Sequence, residues 1–327
     1  MDTTVNAGER RLLILNPVSG SEDHVDTVVE LAEDHGFEVR TTEGEGDAKR
    51  IARKAAAETD LVAAAGGDGT VNEVVNGMYA ADALSTTTVA VVPAGTGNNF
   101  ATNIGVEGID HAFDVIRRDR RRTIDLGTAE ERAFVNSCVA GVTAEASGAT
   151  TSSGKRQFGV LAYVFRTIEN VRSFDSLPLR VETDAGSEST IPRTDPNAEP
   201  RDESVAQTWE GDAAFVLVGN ARRFTSARTA QGNAEDGLLE VTVVEDASAV
   251  DLLGDAMLEG MFGRDAEHIV RLRASALTIE SLDDSPVTYS LDGETLKSER
   301  VNLETDCGAL RVIVGDGYDP NPDSDEA

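Results

Sequence analysis

Short apolar runs and stretches of helical periodicity alternate through the first third of the chain. RLLIL at Arg11–Leu15, FEVRT at Phe37–Thr41, LVAA at residues 61–64 and TVAVV at residues 88–92 read as strands. Between them Val25, Val28, Val29 and Ala32 share one helical face, with Gly36 just past its end, and a second helix runs through Ile51 and Ala55. Val71, Val74, Val75 and Met78 recur at i, i+3, i+4 and i+7, and Ile109, Ala112, Phe113 and Ile116 repeat that spacing. Strands alternating with helices at this pace mean parallel pairing, so an α/β domain with a doubly wound parallel sheet is predicted.

After Ile124, Asp125, Leu126 and Gly127 the texture changes. Residues 134–140, 179–182, 213–219, 238–244, 277–280, 287–291 and 310–314 read as strands between polar or acidic turns, with helices expected only near 158–171 and 249–262. That pattern predicts a β-rich second domain, a sandwich or flattened barrel. The expected boundaries are residues 10–125 for the α/β domain and 126–315 for the β-rich one, the last strand being free to return to the first domain. Residues 184–204 read as an acidic surface insertion, and 316–327 as a disordered acidic tail.

The chemistry concentrates where the four predicted strands end. NPVSG at 16–20, TEGEGD at 42–47, GGDGT at 66–70 and PAGTGNNFA at 93–101 all carry glycine, with threonine, serine or asparagine. In a parallel sheet ligands bind at the carboxyl ends of strands. Gly66, Gly67 and Gly69 permit close approach to the main chain, and the helix that follows supplies unpaired N–H groups and a partial positive charge. Thr70 and Glu73 have capping-box spacing, so Thr70 is expected to start that helix. Asp68 lies inside the turn, where an acid suits a metal ion or a hydroxyl better than bare phosphate. One glycine turn is as often a packing device as a ligand site. Four on one sheet edge point to a nucleotide site, although neither the P-loop nor the dinucleotide fingerprint is present.

Composition narrows the setting. The formal net charge of −30 over 327 residues, with Lys49, Lys54, Lys155 and Lys297 as the only lysines, reads as a protein kept soluble at high salt. It argues against nucleic-acid binding, which needs a basic footprint. Cys138 and Cys307 form no disulfide framework or metal-ligand spacing and read as small side chains in a reducing cytoplasm. No stretch approaches 18 apolar residues and the segment MDTTVNAGERR has no signal-peptide core, so any membrane contact is expected to be peripheral. Arg117, Arg118, Arg120, Arg121 and Arg122 form the one dense basic run. It reads either as a contact for anionic headgroups or as a solvated helix end; high salt screens such attraction, which favours the second. His24, His35, His111 and His268 show no ligand spacing.

Taken in order, LILNPVSG, GGDGTVNEVVNG, PAGTGNNFA, IDLG with FVN, GNARRF, EDGLLEV and LDGE resemble the diacylglycerol kinase catalytic-domain family, which includes bacterial lipid kinases and sphingosine kinases. The resemblance spans residues 12–314. It implies a nucleotide-binding α/β domain, a C-terminal β-sandwich, a cleft between them, and phosphorylation of a lipid hydroxyl with ATP and Mg²⁺. The implied acceptor is a diacylglycerol-like or isoprenoid-ether lipid alcohol at the cytoplasmic face of a membrane; a homodimer is left open. By position, Asn16, Thr42, the residues Gly66, Gly67, Asp68, Gly69, Thr70, Val71 and Asn72, and Thr96 match the family's nucleotide contacts. EDGLLEV resembles its second-domain metal loop, where Asp236 would give its side chain and Asn233 and Leu238 their carbonyls.

Glu294 of LDGE matches the proton acceptor, with Asp292 beside it; Asp68 is the rival base. Phosphoryl transfer needs mainly positioning and charge neutralisation, and a lipid hydroxyl benefits from a positioned base. Alone, LDGE reads as a hairpin turn. Two departures stand out: Asn99 where the family commonly has aspartate, and TSARTAQGNAEDG after GNARRF. Competing readings are a kinase for a sphingoid-like base, a polyprenol, a soluble alcohol or NAD, and a nucleotide-binding protein without turnover.

Overall fold

The computed structural model describes residues 8–20, 24–141, 176–184, 188–189, 206–224, 229–245 and 269–322. They divide into two compact units, one running to Leu126 and including Cys307–Asn321, the other running from Gly127 to Asp306. Helices expected near 158–171 and 249–262, and most of the acidic insertion, lie outside the described residues.

The first unit alternates β1 (Arg11–Leu15), α1 (Val25–Asp34), β2 (Phe37–Thr41), α2 (Asp47–Ala55), β3 (Leu61–Gly66), α3 (Asp68–Tyr79), β4 (Thr88–Pro93), the short α4 (Asn99–Asn103) and α5 (Ile109–Arg118), and then enters β5 (Arg121–Ala129). β1 pairs in parallel with β2 on one side and β3 on the other, with Leu13 opposite both Val39 and Ala63. β3 continues in parallel to β4, Ala63 opposite Ala90. Every residue of β3 and β4 is buried, as expected of parallel strands covered on both faces. Because β1 is flanked by β2 and β3, strand order reverses there, and the crevice beyond the ends of β1 and β3 is the place where such sheets bind ligands. Gly77 lets α3 lie against α2: a Cβ there would stand 2.4 Å from the Lys49 carbonyl oxygen.

The second unit holds β6 (Arg132–Phe134), β7 (Ser137–Ala140), β8 (Leu177–Thr183), β9 (Glu188–Ser189), β10 (Thr208–Gly219), β11 (Arg222–Phe224), β12 (Thr229–Gln231), β13 (Leu239–Glu245), β14 (Ile269–Ala274), β15 (Ala276–Ser281), β16 (Val287–Leu291), β17 (Glu294–Ser298) and the start of β18 (Arg300–Ile313). β10 serves two layers. Its first half pairs with β8, which leads to β15 and β18, while beyond a register shift between Ala213 and Phe215 it lies between β13 and β7. β7 continues to the β16–β17 hairpin, and β13 to β14. Phe134, Cys138, Trp209, Val216, Leu272, Ile279, Tyr289 and Leu303 fill the core, which is that of a β-sandwich.

Two local expectations change, at residues 134–140 and 316–322, and the last strand follows the course left open for it. The strand read at 134–140 is broken into β6 and β7 at Val135 and Asn136. Val312 of β18 lies in parallel opposite Val89, so the end of that strand belongs to the first unit's sheet. The chain beyond it is placed through 322 and Tyr318 is 4% exposed, so residues 316–322 are ordered where the composition pointed to disorder. Gly105 makes room for this segment, since a Cβ there would meet the Tyr318 nitrogen at 2.6 Å.

Candidate functional site

The loops after β1, β3 and β4 touch through their main chains. A Cβ on Gly20 would stand 2.4 Å from the Ala94 carbonyl oxygen, and one on Gly95 would stand 2.4 Å from Gly67 Cα. Ala94 N–H donates to the Gly66 carbonyl at 3.0 Å, and Asn16 N–H to that of Ala65 at 2.9 Å. Asn98 adopts a left-handed φ of 49° and closes its own loop, accepting from Gly95 N–H at 3.1 Å and donating to Gly95 O at 2.9 Å.

α3 begins at Asp68, with Gly67 as its extended N-cap, and not at Thr70. The expected capping box fails because both of its side chains are engaged elsewhere. Thr70 Oγ1 accepts from Asn16 Nδ2 at 3.1 Å, tying the first loop to the third. Glu73 reaches back to α2, its Oε1 accepting from Gly46 N–H and its Oε2 from Ala48 N–H, each at 3.0 Å. Glu73 thus caps the neighbouring helix, a role that the sequence spacing attached to the wrong partner. Thr42 is buried after β2, its N–H donating to Leu15 O at 2.9 Å. In the same loop Arg50 and the Glu43 N–H hold the Asp47 carboxyl below the usual carboxylate range.

Asp68 is the clasp between two loops. Its Oδ2 accepts from the Asn99 N–H at 3.0 Å and from Asn99 Nδ2 at 3.1 Å, and its Oδ1 accepts from the Phe100 N–H at 3.0 Å. A carboxylate is thereby set on the N-terminus of α4, where charge and orphan donors both favour it. The N–H groups of Thr70 and Val71 already serve the Gly67 carbonyl, and the side chains of Val71 and Asn72 are buried. What remains for a ligand at the start of α3 is the exposed main chain around Gly69, with exposed Thr96 and Gly97 on the next loop.

In the second unit Asp292 and Gly293 form the two-residue turn of the β16–β17 hairpin, both with positive φ (47° and 103°), and Leu291 is paired with Glu294. Asp292, expected in a catalytic role, has its carboxylate bound to the main chain of the bend after β6. Its carboxylate accepts from the N–H groups of Val135 at 2.6 Å, Asn136 at 3.1 Å and Ser137 at 2.8 Å. Asn220 of the GNARRF segment supports the same bend, donating through Nδ2 to Val135 O at 3.1 Å. Glu294, the first residue of β17, is half-buried, and among the described residues its carboxylate has no hydrogen-bonding or ionic partner. Close by in the core, burial and the neighbouring Asp292 push the Cys138 thiol well above its ordinary pKa, and burial does the same to the Tyr289 phenol.

In the EDGLLEV loop the Asp236 carboxylate, the one side chain expected to ligate a metal, is already engaged. Asp236 Oδ1 accepts from Leu238 N–H at 3.0 Å and its Oδ2 lies 2.5 Å from Arg273 Nη2. The Asn233 side chain turns to its own backbone, Oδ1 accepting from Glu235 N–H at 3.1 Å. The arginine run is also engaged internally: Arg117 pairs with Asp114, Arg118 with Asp316, and Arg121 with Glu9 and Asp119.

Among the described residues no helix is long and apolar enough to cross a membrane. The diacylglycerol kinase catalytic domain profile matches residues 10–129, and that of the YegS C-terminal NAD kinase beta sandwich-like domain matches residues 136–314. A diacylglycerol kinase of Bacillus subtilis (strain 168) is 29% identical over 310 residues, covering 90% of this chain and 94% of its own length. One from Staphylococcus aureus (strain bovine RF122 / ET3-1) is 29% identical over 311 residues, covering 90% of each chain. A crystal structure from Bacillus anthracis str. Sterne superposes with a TM-score of 0.75 at 24% identity, covering 95% of this chain and 97% of the other. With both of its parts matched in order, the chain belongs to the family that joins a diacylglycerol kinase catalytic domain to a YegS-type C-terminal β-sandwich.

Proposed function

We propose that this chain is an ATP-dependent lipid kinase that phosphorylates the hydroxyl of a diacylglycerol-like or related lipid alcohol. The observation that carries this reading is the pair of glycine loops clasped by Asp68 at the switch point of a parallel sheet. Curated relatives named diacylglycerol kinase, matched along nine-tenths of the chain, support it. When bound there, ATP supplies the transferable phosphoryl group and Mg²⁺ offsets its charge.

In this reading residues 10–125 bind the nucleotide and 126–315 the lipid. The main chain at Gly67 and Gly69, with Asn16, Thr42 and Thr96 around it, holds the nucleotide. Asp68 fixes the spacing of its loops, and Glu294, whose carboxylate is not tied down, accepts the proton of the acceptor hydroxyl. The lipid is met by peripheral contact at the cytoplasmic membrane face, and the acidic, lysine-poor composition supports work at high salt.

The test is phosphate transfer from labelled ATP with Mg²⁺ at molar KCl, offered a panel of lipid alcohols together with NAD and sugars. A labelled phospholipid is the expected product. Transfer to NAD or sugars but never to lipid would overturn the substrate class, and ATP binding without transfer to any acceptor would overturn the activity.

A further inference from the structure

The resemblance implies a metal ion in the loop before β13, yet the one carboxylate expected to hold it already faces a guanidinium. We infer that Arg273 serves there as a built-in cation, and that this loop is organised by a guanidinium instead of a divalent metal. The inference is independent of the kinase reading.

Asp236, the one side chain expected to ligate, has both carboxylate oxygens engaged: Oδ2 by Arg273 Nη2 at 2.5 Å and Oδ1 by Leu238 N–H at 3.0 Å. Arg273 is delivered to this point by the sheet. It stands directly opposite Glu240 in the β13–β14 pairing, and its Nε lies 3.9 Å from Glu240 Oε1. All three side chains are mostly buried, at 27% exposure for Arg273, 19% for Asp236 and 18% for Glu240. Mg²⁺ requires oxygens in near-octahedral array at about 2.1 Å. A divalent ion on Asp236 Oδ2 and a guanidinium on the same atom would repel each other across a partly desolvated site, so the two are mutually exclusive.

The loop's shape is also satisfied without an ion. Asn233 Oδ1 accepts from Glu235 N–H, Asp236 Oδ1 accepts from Leu238 N–H, and Gly237 between them takes a φ of 75°. Two successive side-chain-to-backbone turns of this kind close a loop by themselves. The arginine then balances Asp236 and holds the loop to β14. A fixed guanidinium is always charged and cannot dissociate, whereas a bound metal leaves whenever its concentration falls.

The test is Mn²⁺ binding by the full chain without nucleotide, in molar KCl, counted from the electron paramagnetic resonance signal of free Mn²⁺ for the native protein and for Asp236→Asn. Equal stoichiometry in the two is expected. One further equivalent bound by the native protein and lost in Asp236→Asn would overturn the inference. A second measurement does not depend on Asp236→Asn: thermal unfolding of the native protein in EDTA and in Mg²⁺, with Arg273→Ala alongside. The native midpoint should be the same in both media, with Arg273→Ala melting lower than native in EDTA. A native midpoint that falls in EDTA while the Arg273→Ala midpoint matches it would overturn the inference equally.

Discussion

Asp68 and Asn99 are joined twice: one carboxylate oxygen of Asp68 accepts from both the main-chain N–H and the side-chain amide of Asn99. The amide at this position donates where the family's usual aspartate would place a second negative charge. Asn99→Asp should therefore destabilise the protein by about 1–3 kcal/mol in chelator, through the lost donor and the new repulsion. Added Mg²⁺ should recover part of the loss. Denaturant unfolding with and without EDTA measures both effects; a variant as stable as native in EDTA would show that the side-chain bond contributes nothing.

Glu73 accepts from the first turn of α2 while sitting on α3. Hydrogen bonds to a charged acceptor are worth about 1.5–3 kcal/mol, so Glu73→Ala should cost an amount in that range and Glu73→Gln less. Amide hydrogen exchange at Gly46 and Ala48 should speed up more than exchange at β3, and uniform acceleration would mean that the link is not local.

Asp292 and Glu294 share one hairpin, the first bound by three main-chain donors and the second proposed above as the base. Asp292→Asn should lower stability by about 2 kcal/mol, because three main-chain donors lose a charged acceptor. Glu294→Gln should leave the unfolding midpoint unchanged and slow phosphate transfer by at least 100-fold, roughly the contribution of a positioned base. Unchanged turnover would remove Glu294 from that role.

The two cysteines should differ in reactivity. Cys138 is buried with a raised thiol pKa, whereas Cys307 is exposed. Only thiolate alkylates, so native protein treated with iodoacetamide at pH 8 should take a single label, at Cys307, and a second only after unfolding. Mass spectrometry of the peptides decides it.

The parallel sheet was legible because β1, β3 and β4 are unbroken apolar runs, each closed by a glycine-bearing loop, and such runs are diagnostic when both faces are covered. The motif series made the family legible as well. Illegible were links made by side chains across long separations: Glu73 to Gly46, Asp292 to Val135, Arg273 to Asp236. Each is a carboxylate read for another role, Glu73 from its capping-box spacing and Asp292 and Asp236 from the family resemblance, and only the folded chain decides among partners that many residues apart. Thr70 shows the same limit, since capping-box spacing describes which bonds a helix start can form, not what neighbouring loops will claim first.

The touching main chains of Gly20, Gly67 and Gly95 bear on how this protein carries its charge. A spacing set by α-carbons and carbonyl oxygens owes nothing to ionisation, so counter-ions that weaken surface ion pairs leave it alone. A change of salt concentration can therefore alter the ion pairs around it while the geometry of this glycine junction stays constant.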